Sequence, residues 1–89
     1  MQVRFTRNFV KQYARAGVKI QKSFDNRLEL FLKNSSDPVL NNHKLIGKLK
    51  NYGSINITGD WRAIYSENRY KGEDPLVIFE VLGTHRRSG

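Results

Sequence analysis

Apolar residues recur along this chain with two different periods, and the switches between them set the expected order of elements. Met1 to Phe5 alternates, with Val3 and Phe5 on one side and Gln2 and Arg4 on the other, which predicts a short strand. From Arg7 to Ala16 the spacing becomes helical, placing Phe9, Val10, Tyr13 and Ala14 on one face and Arg7, Lys11 and Arg15 on the other. Thr6 is positioned to cap this helix and Gly17 to end it. A second helix is predicted from Lys19 to Lys33, because Ile20, Phe24, Leu28, Phe31 and Leu32 recur at intervals of three and four with no Gly or Pro between them. Asn34-Ser35-Ser36-Asp37-Pro38 reads as a loop, with Val39 and Leu40 expected to tuck it down beneath His43.

Alternation then returns. Ser54-Ile55-Asn56-Ile57-Thr58, the turn residues Gly59-Asp60, and Trp61-Arg62-Ala63-Ile64-Tyr65 predict a hairpin with one apolar and one polar face. Ser66 to Pro75 is polar and turn-like. Leu76 to Leu82 is almost continuously apolar, which suits a central strand covered on both faces, and Gly83 is expected to break it. The order is strand, two helices, three strands. It predicts one α+β domain over residues 1–89, two N-terminal helices packed on an antiparallel sheet of about four strands. If the helices cover Ile55 and Ile57, then Ser54, Asn56 and Thr58 face away from them.

Charge narrows the class of partner. Lys and Arg number 16 against 8 Asp and Glu, a formal net charge of +8 spread through all 89 residues. Such a surface favours a polyanion, most often nucleic acid. There is no cysteine, hence no disulfide and no thiolate nucleophile, and two histidines without cysteine argue against a structural zinc site. No stretch resembles a signal peptide or approaches the roughly 18 apolar residues of a membrane span. The expectation is a soluble cytoplasmic protein with no cofactor, no metal and no membrane partner.

Several side chains carry possible chemistry. Arg62 sits between Trp61 and Ala63 and should occupy the open sheet face, where a guanidinium can grip a phosphate with two hydrogen bonds; the alternative is an exposed strand arginine or an ion pair with Glu80. His43 and His85 are the only imidazoles, and both fall in predicted loops at element ends. Two such groups can take the proton from a ribose 2′-hydroxyl and return one to the leaving 5′-oxygen. Asp60 either orients an imidazole or serves the turn. Lys44, Lys48 and Lys50 suit phosphate contacts.

Read together, His43-Lys44-Leu45, Gly47-Lys48-Leu49, the run from Ser54 to Tyr65 containing Gly59-Asp60-Trp61-Arg62, and Gly83-Thr84-His85 resemble the RelE/ParE superfamily of bacterial type II toxins, and within it the YafQ-like branch of mRNA interferases. The resemblance spans almost the whole chain and implies a RelE-like, microbial-ribonuclease-like fold. It implies a ribosome-dependent endoribonuclease that enters the decoding site and cleaves mRNA without a metal. His43, Asp60, Trp61 and His85 match the branch's functional set, and Arg62 a phosphate-binding position of the wider superfamily; Asn56, Trp61, Arg86 and Arg87 are expected as further RNA contacts of this chain, and Trp61 also fits the core by its alternation with Ala63 and Tyr65. Members of the branch can carry histidine where this chain has Asn56, and often an aromatic residue after the Gly-Thr-His triplet, where this chain has Arg86-Arg87-Ser88-Gly89. The implied partner is a small acidic antitoxin, with operator DNA contacted only through the antitoxin complex. Two other activities fit the same resemblance: a ParE-like inhibitor of DNA gyrase, and a catalytically weak RNA-binding relative held by its antitoxin.

Overall fold

The computed structural model describes residues 1–45, 47, 51–69 and 72–84. Strand β1 is Gln2–Phe5, followed by helices α1 (Arg7–Ala16) and α2 (Val18–Lys33), a 3-10 turn at Pro38–Leu40, and strands β2 (His43–Lys44), β3 (Tyr52–Asn56), β4 (Trp61–Asn68) and β5 (Leu76–Thr84). The sheet has five strands rather than four, in the order β1-β5-β4-β3-β2. Its one parallel pair is β1 with β5, made possible because both helices intervene between the two strands in sequence. The added strand is β2, so His43 lies in a short edge strand and not in a loop.

Local chemistry explains where the helices begin and end. The Thr6 hydroxyl accepts from the Phe9 amide at 3.0 Å, and Gly17 takes φ 91°, which halts α1 and lets α2 start one residue later. The buried stripe of α1 runs through Phe9, with Gln12, Tyr13 and Ala16 half-buried beside it. Val10 and Ala14, expected on that face, are exposed, Val10 at 55 %, because the stripe turns one position further round the helix. On α2, Phe24 and Phe31 are buried, Ile20 and Leu28 are half-buried and Leu32 is exposed. In the 3-10 turn Leu40 is buried and Val39 is not.

The core lies between the helices and one face of the sheet. Phe79 is at its centre, with ring centroids 5.9 Å from Phe5, 5.8 Å from Phe9, 5.4 Å from Phe24, 5.8 Å from Phe31 and 5.8 Å from Tyr65. Ile55, Ile57, Ala63, Val77 and Leu82 complete it. Strand β5 is central in the sheet, yet only this face is covered by helices. Leu76, Ile78 and Val81 remain half-buried on the other, and their apolar character is what made the strand look doubly covered. It also runs through Gly83 to Thr84 instead of breaking there, since Gly83 pairs with Arg62 in the ladder. Strand β4 likewise extends past Tyr65 into the segment expected to be a turn, ending at Asn68.

A bulge in β5 decides which residues face outward. Ile64 pairs with Val81 but Tyr65 pairs with Phe79, so Glu80 has no partner on β4. Phe79 and Leu82 therefore both point inward, while Glu80 and Val81 are turned to the open side. Groups on α1 take up the hydrogen bonds that the bulge releases. The Glu80 carbonyl accepts from Thr6 Oγ1 and Asn8 Nδ2, each at 3.3 Å, and the Leu82 amide donates to Gln12 Oε1 at 2.8 Å. The half-buried Gln12 on an inner helix face is explained by this contact.

Candidate active site on the open face of the sheet

Strand register brings together residues far apart in sequence. His43 pairs with Ser54, Ser54 with Ile64, Asn56 with Arg62, and Arg62 with Gly83. Directly opposed residues share a face, and this face is opposite the one carrying Ile55, Ala63 and Leu82 into the core. Arg62 therefore stands on the side away from the helices, as its place between Trp61 and Ala63 predicted. Its neighbour Gly83 has no side chain, and no atom of the described residues lies within 4 Å of where a Cβ would be.

Two polar groups on this face lack partners among the described residues. Ser54 is 0 % exposed, and its hydroxyl and Arg62 Nε are buried without a hydrogen bond. Among the described residues Arg62 makes no ion pair; the expected alternative partner, Glu80, accepts from Ser66 Oγ at 2.8 Å instead. A buried donor left unsatisfied is unfavourable by about 1–3 kcal/mol. The arrangement favours an anion that can accept from the guanidinium.

His43 is exposed, and its orientation is set by the preceding residues. Asn41 adopts the left-handed conformation, φ 46° and ψ 47°, which asparagine tolerates better than most residues. Its carbonyl oxygen lies 2.9 Å from His43 Nδ1. A carbonyl only accepts, so Nδ1 carries the proton of the neutral ring and Nε2 keeps its lone pair. Asn42 is held from both ends, its Nδ2 donating to the Ser35 carbonyl at 2.9 Å and its Oδ1 accepting from the Tyr65 hydroxyl at 2.6 Å. That phenol reaches Asn42 by lying over Gly53, where a Cβ would overlap the Tyr65 ring.

Other candidates are placed elsewhere. Asp60 is exposed in the β3–β4 turn, its amide donating to Thr58 Oγ1 at 3.3 Å. Four residues of rise from Ser54 to Thr58 put that turn roughly 13 Å along the sheet from His43, and Asp60 does not hydrogen-bond the imidazole. Thr84, at the end of β5, pairs with Trp61 beside this turn. Lys44 pairs with Gly53, on the opposite face from His43, and meets Glu67 at 3.7 Å. With the lysine side chain 61 % exposed, such a pair is weak and exchangeable. Trp61 is half-buried against the core on the helix side, away from Arg62, so the alternation reading describes its position. His85, Lys48, Lys50, Arg86 and Arg87 lie outside the described residues.

No family model and no curated protein matches the sequence. Solved structures do match. The chain superimposes on the YoeB/ParE toxin from Agrobacterium tumefaciens with a TM-score of 0.77 at 16 % identity, over 97 % of this chain and 100 % of that one. It matches YafQ from E. coli strain BL21(DE3) with a TM-score of 0.73 at 22 % identity, over 94 % of this chain and 92 % of that one. It also matches the E. coli DinJ-YafQ complex at 0.68 and 22 %, over the same shares. The chain has the RelE/ParE toxin fold.

Within this RelE-like fold the described residues bring His43, Ser54, Asn56 and Arg62 onto one surface. No group of three His, Asp or Glu side chains suited to a metal ion occurs among the described residues, and no helix among them is long and apolar enough to cross a membrane. Two hollows flank the sheet. An apolar one of about 260 Å³ lies between β1, α1 and α2, lined by Phe5, Phe9, Val10, Tyr13, Phe24 and Leu28. A polar groove of about 500 Å³ opens by Tyr52, Ser66, Ile78 and Glu80, with Ile78 and Glu80 on the open face. Sequence reasoning missed this groove because the bulge that turns Glu80 outward has no signature in an apolar run.

Proposed function

We propose that this protein is the toxin of a type II toxin-antitoxin system and acts as a ribosome-dependent endoribonuclease on mRNA. The observation that carries the reading is Arg62: a partly buried guanidinium, without an acidic partner among the described residues, on the same open sheet face as His43. Arg62 holds the non-bridging oxygens of the scissile phosphate, and Asn56 beside it adds a neutral donor. His43 Nε2 takes the proton from the ribose 2′-hydroxyl as the 2′-oxygen bonds to phosphorus and the bond to the 5′-oxygen breaks. The leaving 5′-oxygen receives a proton from a second acid, the role assigned to His85. The products are a 2′,3′-cyclic phosphate and a free 5′-hydroxyl.

The partner follows from charge and from the likeness to a toxin crystallised with DinJ. A surface of +8 attracts an acidic antitoxin, and the apolar hollow by α1 and α2 offers that partner a place to bury side chains. Primer extension on mRNA in a reconstituted translation system tests the activity. Cuts within codons that disappear in His43→Ala and Arg62→Ala are expected; intact mRNA on active ribosomes overturns it. Inhibition of gyrase supercoiling, unaffected by His43→Ala, would indicate the ParE-like alternative.

A further inference from the structure

The groove at the Tyr52 end of the open face is chemically unlike the rest of this basic protein. It holds a carboxylate, Glu80, that no cation neutralises among the described residues. Glu67 and Arg69 also border the groove, but they pair with each other at 3.0 Å, and Lys44 meets Glu67 at 3.7 Å. Glu80 has one modest contact, the Ser66 hydroxyl donating to Oε2 at 2.8 Å. A carboxylate has about four lone-pair positions, so Oε1 and part of Oε2 remain available.

Three features make Glu80 a fixed acceptor and not a mobile surface acid. The β5 bulge turns it to the open side, the Thr6, Asn8 and Gln12 side chains hold the bulge backbone, and Ser66 orients the carboxylate. The surroundings suit a flat ligand: half-buried Tyr52 and Ile78 offer apolar surface beside the carboxylate, and about 500 Å³ is within the usual range for a small-molecule cleft. With Arg69 paired to Glu67, the charge left over in the groove is that of Glu80, which disfavours a phosphate beside it. A ligand that presents hydrogen-bond donors on a planar edge suits this setting.

We propose that this groove is a base-recognition site for guanine. Guanine alone among the RNA bases carries two adjacent donors, N1–H and N2–H, on its pairing edge, and two parallel N–H groups match the two oxygens of a carboxylate. Adenine and cytosine each present one amino group next to an acceptor, and that acceptor faces the Glu80 charge unfavourably. Uracil presents a single N–H between two carbonyls. The proposal rests on the reading of Arg62 as the phosphate site. Ser66 is four residues along β4 from Arg62, roughly 13 Å by strand rise, which places the groove for the base of a nucleotide flanking the scissile phosphate.

Binding and cleavage test it separately. Titrating the purified protein with the 3′-monophosphates of guanosine, adenosine, cytidine and uridine, followed by amide NMR shifts, should move Tyr52 and Ser66. Guanosine 3′-monophosphate should bind tightest by about tenfold or more, the scale of one bidentate pair. Glu80→Gln, which replaces one acceptor oxygen with a donor, should abolish the preference, and Ser66→Ala should weaken it, with circular dichroism confirming that both variants fold. Equal binding of the four nucleotides, or a guanine preference that survives Glu80→Gln, overturns the proposal. In the translation assay, cuts by the unmodified protein should be enriched beside guanine, and Glu80→Gln should cut without that enrichment. If guanine binding holds and no mRNA is cut, the groove stands and the nuclease reading falls; cuts with no guanine enrichment sink the groove alone.

Discussion

The Tyr65 hydroxyl donates to Asn42 Oδ1 at 2.6 Å, and this bond ties the segment carrying His43 to the centre of the sheet. It depends on Gly53, the only residue type that leaves room for the ring between β3 and Asn42. Gly53→Ala should push the ring aside, break the bond, and destabilise the fold by roughly 1–3 kcal/mol. Because a misplacement of about 1 Å can reduce catalysis on the order of a hundredfold, cleavage should fall further than stability. Thermal melts and the NMR shifts of His43 check this; an unchanged melting temperature and unmoved His43 signals would contradict it.

The same phenol makes stability depend on alkaline pH. Burial pushes the Tyr65 hydroxyl above its ordinary value of 10.0, and the Glu67 charge acts in the same direction. In the unfolded chain the group loses its proton near 10, while the folded chain retains it to higher pH. Above pH 10 the unfolded state therefore binds fewer protons, and stability falls as pH rises through the folded value. Tyr13, raised by its hydrogen bond to Asp25 and then by burial, contributes with the same sign. Melting temperatures taken from pH 8 to about 11 should drop more steeply for the unmodified protein than for Tyr65→Phe. Parallel curves would show that the phenol is not coupled to folding.

Phe79 packs against aromatic rings from β1, α1, α2 and β4. Phe79→Ala should therefore lose about 3–5 kcal/mol, a large share of the roughly 5–15 kcal/mol that holds a typical domain folded. Ile78→Ala, one residue away on the open face and half-buried, should lose much less. Urea midpoints of the two variants separate these cases, and equal losses would mean that the open face is covered in solution.

Periodicity made the fold legible wherever a single rule governed a segment. The limits of α1, the Thr6 cap and the outward face of Arg62 followed from spacing and alternation. Where two tertiary effects compete, spacing failed. Val10 obeys the helical period and is exposed because the bulge backbone requires Gln12 on the inner face. The outward turn of Glu80 depends on a register shift that appears only once β4 pairs with β5. At the candidate site, residue type singles out His43 and Arg62 in the sequence, whereas Asn41, Asn42, Gly53 and Tyr65, which position His43, act through backbone conformation and contacts between distant segments.

Replacing Arg62 separates a functional role from a structural one. Its Nε is buried without a partner among the described residues, so removing the guanidinium relieves an unsatisfied donor and stabilises on the order of 1 kcal/mol or more, opposed by the loss of packing along the side-chain stem. Arg62→Met keeps most of that stem and deletes the charge. The melting temperature should hold or rise slightly, while mRNA cleavage falls by about 10²-fold or more, the scale of losing a charge-stabilising group from a reaction centre. Arg62→Lys keeps the charge without the two-pronged geometry and should restore only part of the activity. A marked fall in stability in Arg62→Met would show that the side chain serves the sheet; full activity in that variant would remove it from the phosphate site.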